Sequence, residues 1–196
     1  MSPALRPRLP LLAAVAAAWL TLAGAAPHTT AYVVDSKASS VSAKVGFLGL
    51  GSKTAGFPQM SGKVLLEPDR PDQISLDVTL DARALTAPDK VTLGRLRGEK
   101  FFWVERYPTI RFVGERMALS GDRTGTISGT LTARGVTQPV SLAVAFDKPP
   151  LSAAPGEALT LTGTTTIDRR KFGMTAYSLV VGRQVTITLK ARMVPG

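Results

Sequence analysis

The sequence predicts an all-β protein of about eight antiparallel strands, closed as a barrel or stacked as a sandwich. Three observations predict it. Apolar and polar residues alternate along several short stretches, the mark of strands with one buried face and one wet face. Turn-forming residues punctuate those stretches at short intervals. Only one segment carries a helical pattern.

Tyr32 to Val34 starts the first strand, and Val41 to Phe47 continues with Val41, Ala43, Val45 and Phe47 on one face. Gly46 to Gly51 (GFLGLG) is glycine-rich but lacks the Lys-Ser/Thr ending of a phosphate loop, so it is read as a turn. Gly62 to Leu66 is the next strand, and Ile74 to Asp81 alternates for eight residues. Pro88 to Lys100 is the helical segment, with Pro88 as an early helical residue and Val91, Leu93 and Leu96 as an imperfect apolar stripe. Gly94 and Gly98 limit it to one or two short turns. Thr109 to Val113 returns to a strand. Thr126 to Arg134 places Ile127, Gly129, Leu131 and Ala133 on one side. Val140 to Asp147 alternates again. Leu159 to Ile167 is threonine-rich with Gly163 at an expected bulge, and Val185 to Lys190 closes the series.

Composition narrows the chemistry. The 196 residues are 44% hydrophobic and 19% charged, as in a globular chain. There is no cysteine, and His28 is the single histidine, so thiolate sites, histidine triads and multi-histidine metal sites are excluded. Neither a metal nor a cofactor is expected. Asp35, Asp77, Asp81, Asp147 and Asp168 fall at strand ends or on wet faces, where spacing alone selects no acid–base pair.

The N-terminus has the three parts of an export signal. Arg6 and Arg8 form a basic start, Leu11 to Ala23 is an uncharged apolar run, and Ala23-Gly24-Ala25 has the small-x-small pattern of a cleavage site. The run is short for a membrane span of about 20 residues. The expectation is a signal peptide at 1–25 and one exported domain at 26–196. That domain carries 22 Lys+Arg against 14 Asp+Glu. The basic residues are scattered, which argues for a solvated surface and against a nucleic-acid partner. The charge leaves open a transient contact with an anionic membrane surface.

The inward-facing set is slim: Val41, Ala43, Val45, Gly62, Val64, Val78, Gly129, Ala133, Val140 and Val144. A barrel of about eight strands either fills with side chains or holds one small ligand. Slim inward residues leave room for an apolar cavity. Phe101 to Phe112 (FFWVERYPTIRF) concentrates five of the chain's twelve aromatic residues. Phe101, Phe102, Ile110 and Phe112 are read as facing the interior, where they either fill the core or wall a pocket. Phe172 and Met174 carry the same two readings.

Four segments, in order, resemble the YceI-like family. Tyr32-Val33-Val34-Asp35 with Ser39-Ser40-Val41-Ser42 is similar to its opening strand and turn. Leu96 to Phe112 (LRGEKFFWVERYPTIRF) resembles its LRSxxFFDVxxYPxIxF segment, and Gly129 to Val140 (GTLTARGVTQPV) its GxLTxxGVTxPV element. Ile167 to Met174 (IDRRKFGM) is similar to its closing IxRxxFGM motif.

The resemblance implies a lipocalin-like, eight-stranded antiparallel barrel, periplasmic or secreted in bacteria; the N-terminal pattern itself puts the expected cleavage near Ala25. It also implies a long interior tunnel for a long-chain isoprenoid or fatty amphiphile, and no enzymatic reaction. The expected ligand-binding residues are Val41, Ala43, Val45, Phe47, Val64, Val78, Arg97, Phe101, Phe102, Ile110, Phe112, Leu131, Val144, Phe172 and Met174. The chain departs from the family pattern where polar groups usually stand: Ala38, Leu93, Arg95 and Trp103 occupy those positions. Arg95 and Arg97 then either meet an acidic head group through charge-assisted hydrogen bonds or remain solvated on the short helix. Three functions are weighed: a lipid carrier, a filled barrel that binds another protein, and a lipid-processing enzyme using a carboxylate such as Asp77 or Asp81.

Overall fold

A computed structural model describes residues 29–154 and 156–196. The expected signal peptide and His28 lie outside the described residues. The strands are β1 (Thr30–Val34), β2 (Ser40–Phe47), β3 (Gly51–Phe57), β4 (Met60–Leu66), β5 (Gln73–Asp81), β6 (Thr109–Leu119), β7 (Thr124–Ala133), β8 (Val136–Phe146), β9 (Leu159–Asp168) and β10 (Val181–Pro195). One helix, α1 (Lys90–Arg97), lies between β5 and β6.

These strands form a closed antiparallel barrel of eight staves. β10 pairs with β2 through Val181 to Lys190 and with β1 through Met193 to Pro195. β1 and β2 therefore occupy one stave, interrupted by the turn at Ser36–Ala38. β3 pairs with β2 and β4 pairs with β1, so β3 and β4 make the second stave. From β4 the order runs β5, β6, β7, β8, β9 and back to β10. The ring closes because β1 and β10, the first and last described strands, pair with Tyr32 opposite Pro195. Closure removes most of the edge that an open sheet must protect, leaving β3 paired on one side alone.

The alternation in the sequence becomes the inside and outside of this barrel. Ile127, Leu131 and Ala133 of β7 are buried, as are Leu142, Val144 and Phe146 of β8. Gly163 does not sit at a bulge. It pairs in regular register with Leu189 and Val144, and its missing side chain makes room for Leu142, whose nearest atoms would lie 3.2 Å from a Cβ. The breaks in register fall elsewhere, between Gln73 and Leu76, Gly114 and Arg116, and Val181 and Val185.

Pro88 is not within the helix. Asp89 is the N-cap of α1, with its carboxylate accepting from the Thr92 backbone N–H at 2.7 Å. The same economy explains the other strand-end aspartates. Asp35, Asp81 and Asp168 each cap a short 3₁₀ turn that follows a strand.

β3 and β5 do not pair directly. The segment from Ala82 to Pro108, with α1, covers that side, tied by mutual backbone hydrogen bonds between Gly56 and Thr86. The core has two halves. One is solid, built on Tyr32, Leu66, Met117, Ile127, Phe146 and Leu159. The other, under α1, contains Val41, Ala55, Phe57, Phe101, Ile110 and Phe172.

Candidate functional site

An apolar cavity of about 190 Å³ lies in the barrel. Along β10 it is lined by Val185, Ile187, Leu189, Ala191 and Met193, every second residue of the strand. At about 3.3 Å per residue this run covers on the order of 26 Å of strand. A tilt of about 40° leaves about 20 Å along the barrel axis. A cavity of that volume and reach is a narrow channel, suited in shape to a chain and not to a bulky ring system.

Burial along the wall separates floor from mouth. Val64, Leu76, Leu161 and Met193 at one end are buried. Val45, Lys53, Thr92, Leu96, Phe102 and Val181 at the other end are half-buried. The channel therefore opens between the β2–β3 hairpin, α1 and the start of β10. Small residues hold it open: Ala43 faces Ala55 across β2 and β3, and Ala133 and Ala191 line the far wall.

The aromatic segment divides its labour. Phe101 and Phe102 line the channel; Phe101 stacks on Tyr177 at 6.0 Å, and Phe102 meets Phe57 edge-on at 5.6 Å. Ile110 and Phe112 line it from β6. Trp103 and Tyr107 instead pack on each other at 5.9 Å, with Arg106 over both rings. Trp103 adopts a φ of 49°, so the chain reverses there and puts neighbouring aromatics on opposite sides.

Polar groups on the channel wall are few. Thr165 Oγ1 donates to the Ser141 carbonyl at 2.8 Å, and Thr92 Oγ1 to Asp89 Oδ2 at 2.8 Å. Lys53 Nζ donates to the same Asp89 oxygen at 3.0 Å. Arg169, which is 3% exposed, is the one arginine on the wall among the described residues. Its guanidinium donates to the carbonyls of Met174, of Val181 at 3.0 Å and of Gly182 at 2.8 Å. It lies 6.0 Å from the Phe101 ring centre. Burial pushes its pKa below the ordinary arginine value. Among the described residues, no carboxylate forms an ion pair with Arg169, and none lines the channel.

Eleven of the expected ligand-binding residues line the channel: Val41, Ala43, Val45, Val64, Val78, Phe101, Phe102, Ile110, Phe112, Leu131 and Met174. Four do not. Phe47 is past the mouth, with Lys53 Nζ 5.6 Å from its ring centre. Arg97 turns outward and donates to the Arg83 carbonyl at 2.8 Å, so it meets nothing inside the barrel. Val144 is buried in the solid half of the core, and Phe172 is buried behind the wall. Arg95 lies outside too, 5.4 Å from the Tyr177 ring centre. Ala38 sits in the exposed turn after β1, and Leu93 packs against the core from α1.

The lining residues missed from sequence include those of β3, Lys53, Thr54, Ala55 and Phe57, and the β10 row from Val181 to Met193, together with Met60 and Arg169. The β10 alternation had marked Ile187 and Leu189 as one face of a strand. Nothing in it said that this face lined a void.

Known proteins share this arrangement. The family model for the YceI-like domain matches residues 32–193. A UPF0312 protein of Shewanella putrefaciens is 27% identical over 158 residues, covering 78% of this chain and 81% of its own. The crystal structure of Burkholderia cenocepacia BcnA superposes with a TM-score of 0.71 at 24% identity, over 81% of this chain and 98% of that one. A polyisoprenoid binding domain from Saccharophagus degradans superposes with a TM-score of 0.66 at 14% identity, over 85% and 99%. These structural likenesses establish the shared barrel, and the family match extends over nearly all of it: the chain belongs to the YceI-like family.

Proposed function

We propose that this protein is an exported, non-enzymatic carrier that holds the tail of a long-chain isoprenoid or other amphiphilic lipid in the barrel channel. The observation that carries the reading is the channel's form: long, narrow, apolar and open at one end. The polyisoprenoid binding by the Saccharophagus degradans domain supports it. Affinity comes from taking hydrocarbon out of water, at about 0.8 kcal/mol per methylene. Ten methylenes contribute on the order of 8 kcal/mol before ordering costs are subtracted. Met60, Met174 and Met193 on the wall let it adapt to tails of different branching.

The carrier reading is favoured over a lipid-processing enzyme by the state of the carboxylates. Asp77 is gripped by Arg111 at 2.8 and 2.6 Å, and Asp81 by Arg83 at 3.0 and 2.9 Å. Those hydrogen bonds hold both carboxyls below the usual carboxylate range, opposite to what a general acid needs. A filled interaction barrel would have a solid middle, and the channel weighs against it.

Displacement of a fluorescent fatty-acid probe by an isoprenoid quinone and by a fatty amide tests the proposal. Saturable displacement at one site per chain is expected; failure of both ligands to compete removes it. Export is tested separately. N-terminal sequencing of protein recovered outside the cytoplasm is expected to begin near Ala26, and retention of the intact chain inside would count against export.

A further inference from the structure

We propose that the open end of the barrel docks on an anionic phospholipid bilayer, with Leu48, Leu50 and Leu179 entering the interface and Arg95 and Lys100 meeting the head groups. Seven large hydrophobic residues are exposed among those described, and five of them, Leu48, Leu50, Val91, Tyr177 and Leu179, surround the mouth. Leu50 and Leu179 are each 98% exposed. The two at the other end, Val33 and Leu65, reach only 36% and 39%. A leucine on a loop tip with no contact to its own chain contributes nothing to folding, so its place at the opening needs another account.

The tips are built as one surface. Leu48 sits at the hairpin tip with φ of 55°, followed by Gly49 at 70°. Its backbone N–H donates to the Val180 carbonyl at 2.8 Å, which ties the hairpin to the loop that carries Leu179. Tyr177, on that same loop, stacks on Phe101 and so links the outer surface to the channel wall. Tyrosine suits a membrane–water boundary because its ring is apolar and its hydroxyl polar.

Charge selects the partner. The Arg95 guanidinium lies 5.4 Å and Lys100 Nζ 5.6 Å from the Tyr177 ring centre. Neither forms an ion pair among the described residues. Asp89 is engaged by Lys53, and Asp168 by Arg183 and Arg170, while Glu99, beside Lys100 in the sequence, forms no ion pair among the described residues. Separate leucine tips beside unpaired cations fit a fluid anionic surface, which moulds around them. A tail leaving such a surface would reach the channel without crossing bulk water.

The test uses residues 29–196, since residues 30–195 close the barrel and the apolar run at Leu11 to Ala23 would bind lipid by itself. Sedimentation is measured with vesicles of phosphatidylcholine alone and with about a third phosphatidylglycerol, at low and high salt. Binding to the anionic vesicles alone, weakened by salt, is expected. Leu50→Ser and Leu179→Ser should each weaken it by about tenfold. Arg95→Gln with Lys100→Gln should abolish the preference for anionic lipid. Leu65→Ser should change nothing. Thermal midpoints should stay the same, because these side chains are exposed. The channel-filling variant Ala55→Phe should dock normally, which separates docking from tail uptake. Absence of binding by the parent, undiminished binding by the leucine variants, or equal loss in Leu65→Ser or Ala55→Phe would overturn the proposal.

Discussion

Lys53 Nζ on β3 lies 3.0 Å from Asp89 Oδ2, the carboxylate that caps α1. One side chain thus starts the helix and ties it to the hairpin across the channel mouth. Hydrogen bonds from Thr92 and then Lys53 hold the Asp89 carboxyl far below the usual carboxylate range. Because its folded-state pKa lies below the unfolded value of about 3.9, its stabilisation is whole above about pH 4 and is lost as pH falls further. Asp89→Ala should therefore speed amide exchange in residues 90–97 at neutral pH and leave the floor strands protected. Unchanged exchange in α1 would show that the cap does not hold the mouth.

Ala55 faces Ala43 across β2 and β3, and both line the channel. Ala55→Phe puts an aromatic ring into existing space, so stability should change by about 1 kcal/mol or less. Affinity for the quinone should fall at least tenfold, because the tail and the ring compete for one volume. Titration and thermal melting of the same variant check the two statements together.

The Arg169 guanidinium holds three backbone carbonyls, those of Met174, Val181 and Gly182. It joins the end of β9 to the start of β10 beside the channel. Arg169→Met removes all three of these hydrogen bonds and should cost about 3 kcal/mol in a denaturant titration. Arg169→Lys should recover little of it, since an ammonium cannot present donors in the spread of the guanidinium fork.

Gly129 on β7 stands opposite Gly114 on β6, beside a break in their register. A Cβ at Gly129 would lie 2.0 Å from the Val113 carbonyl oxygen and 2.8 Å from the Gly114 Cα. Both obstacles are backbone, so neither can rotate away. Gly129→Ala should destabilise the barrel by about 3 kcal/mol or more. Gly46→Ala, where nothing lies within 4 Å of the added atom, serves as the control and should be nearly neutral.

Much of the barrel was legible because most of its strands are half-buried. Ile74 to Leu76 and Leu131 to Ala133 alternate in sequence as they alternate in burial. β3 escaped notice because Gly51–Phe57 (GSKTAGF) is made of small and polar residues, and its pairing rests mainly on β2. Closure was not readable from local pattern, because it depends on Tyr32 meeting Pro195 across the whole chain. Phe101 and Phe172 read alike in the sequence. Both are buried aromatics, yet one lines the void and the other packs behind it, and burial alone does not tell them apart. Arg169 sits in a run of three basic residues that reads as a solvated cluster. Only the fold turns one of them inward.

Native mass spectrometry of the protein purified from a bacterial host, before any delipidating step, asks whether the channel holds a lipid tail. A fraction of the molecules carrying one added lipid-sized mass, lost in Ala55→Phe and extractable as a long-tailed amphiphile, is the expected result. A single ligand-free species that also takes up no added quinone or fatty amide would contradict it.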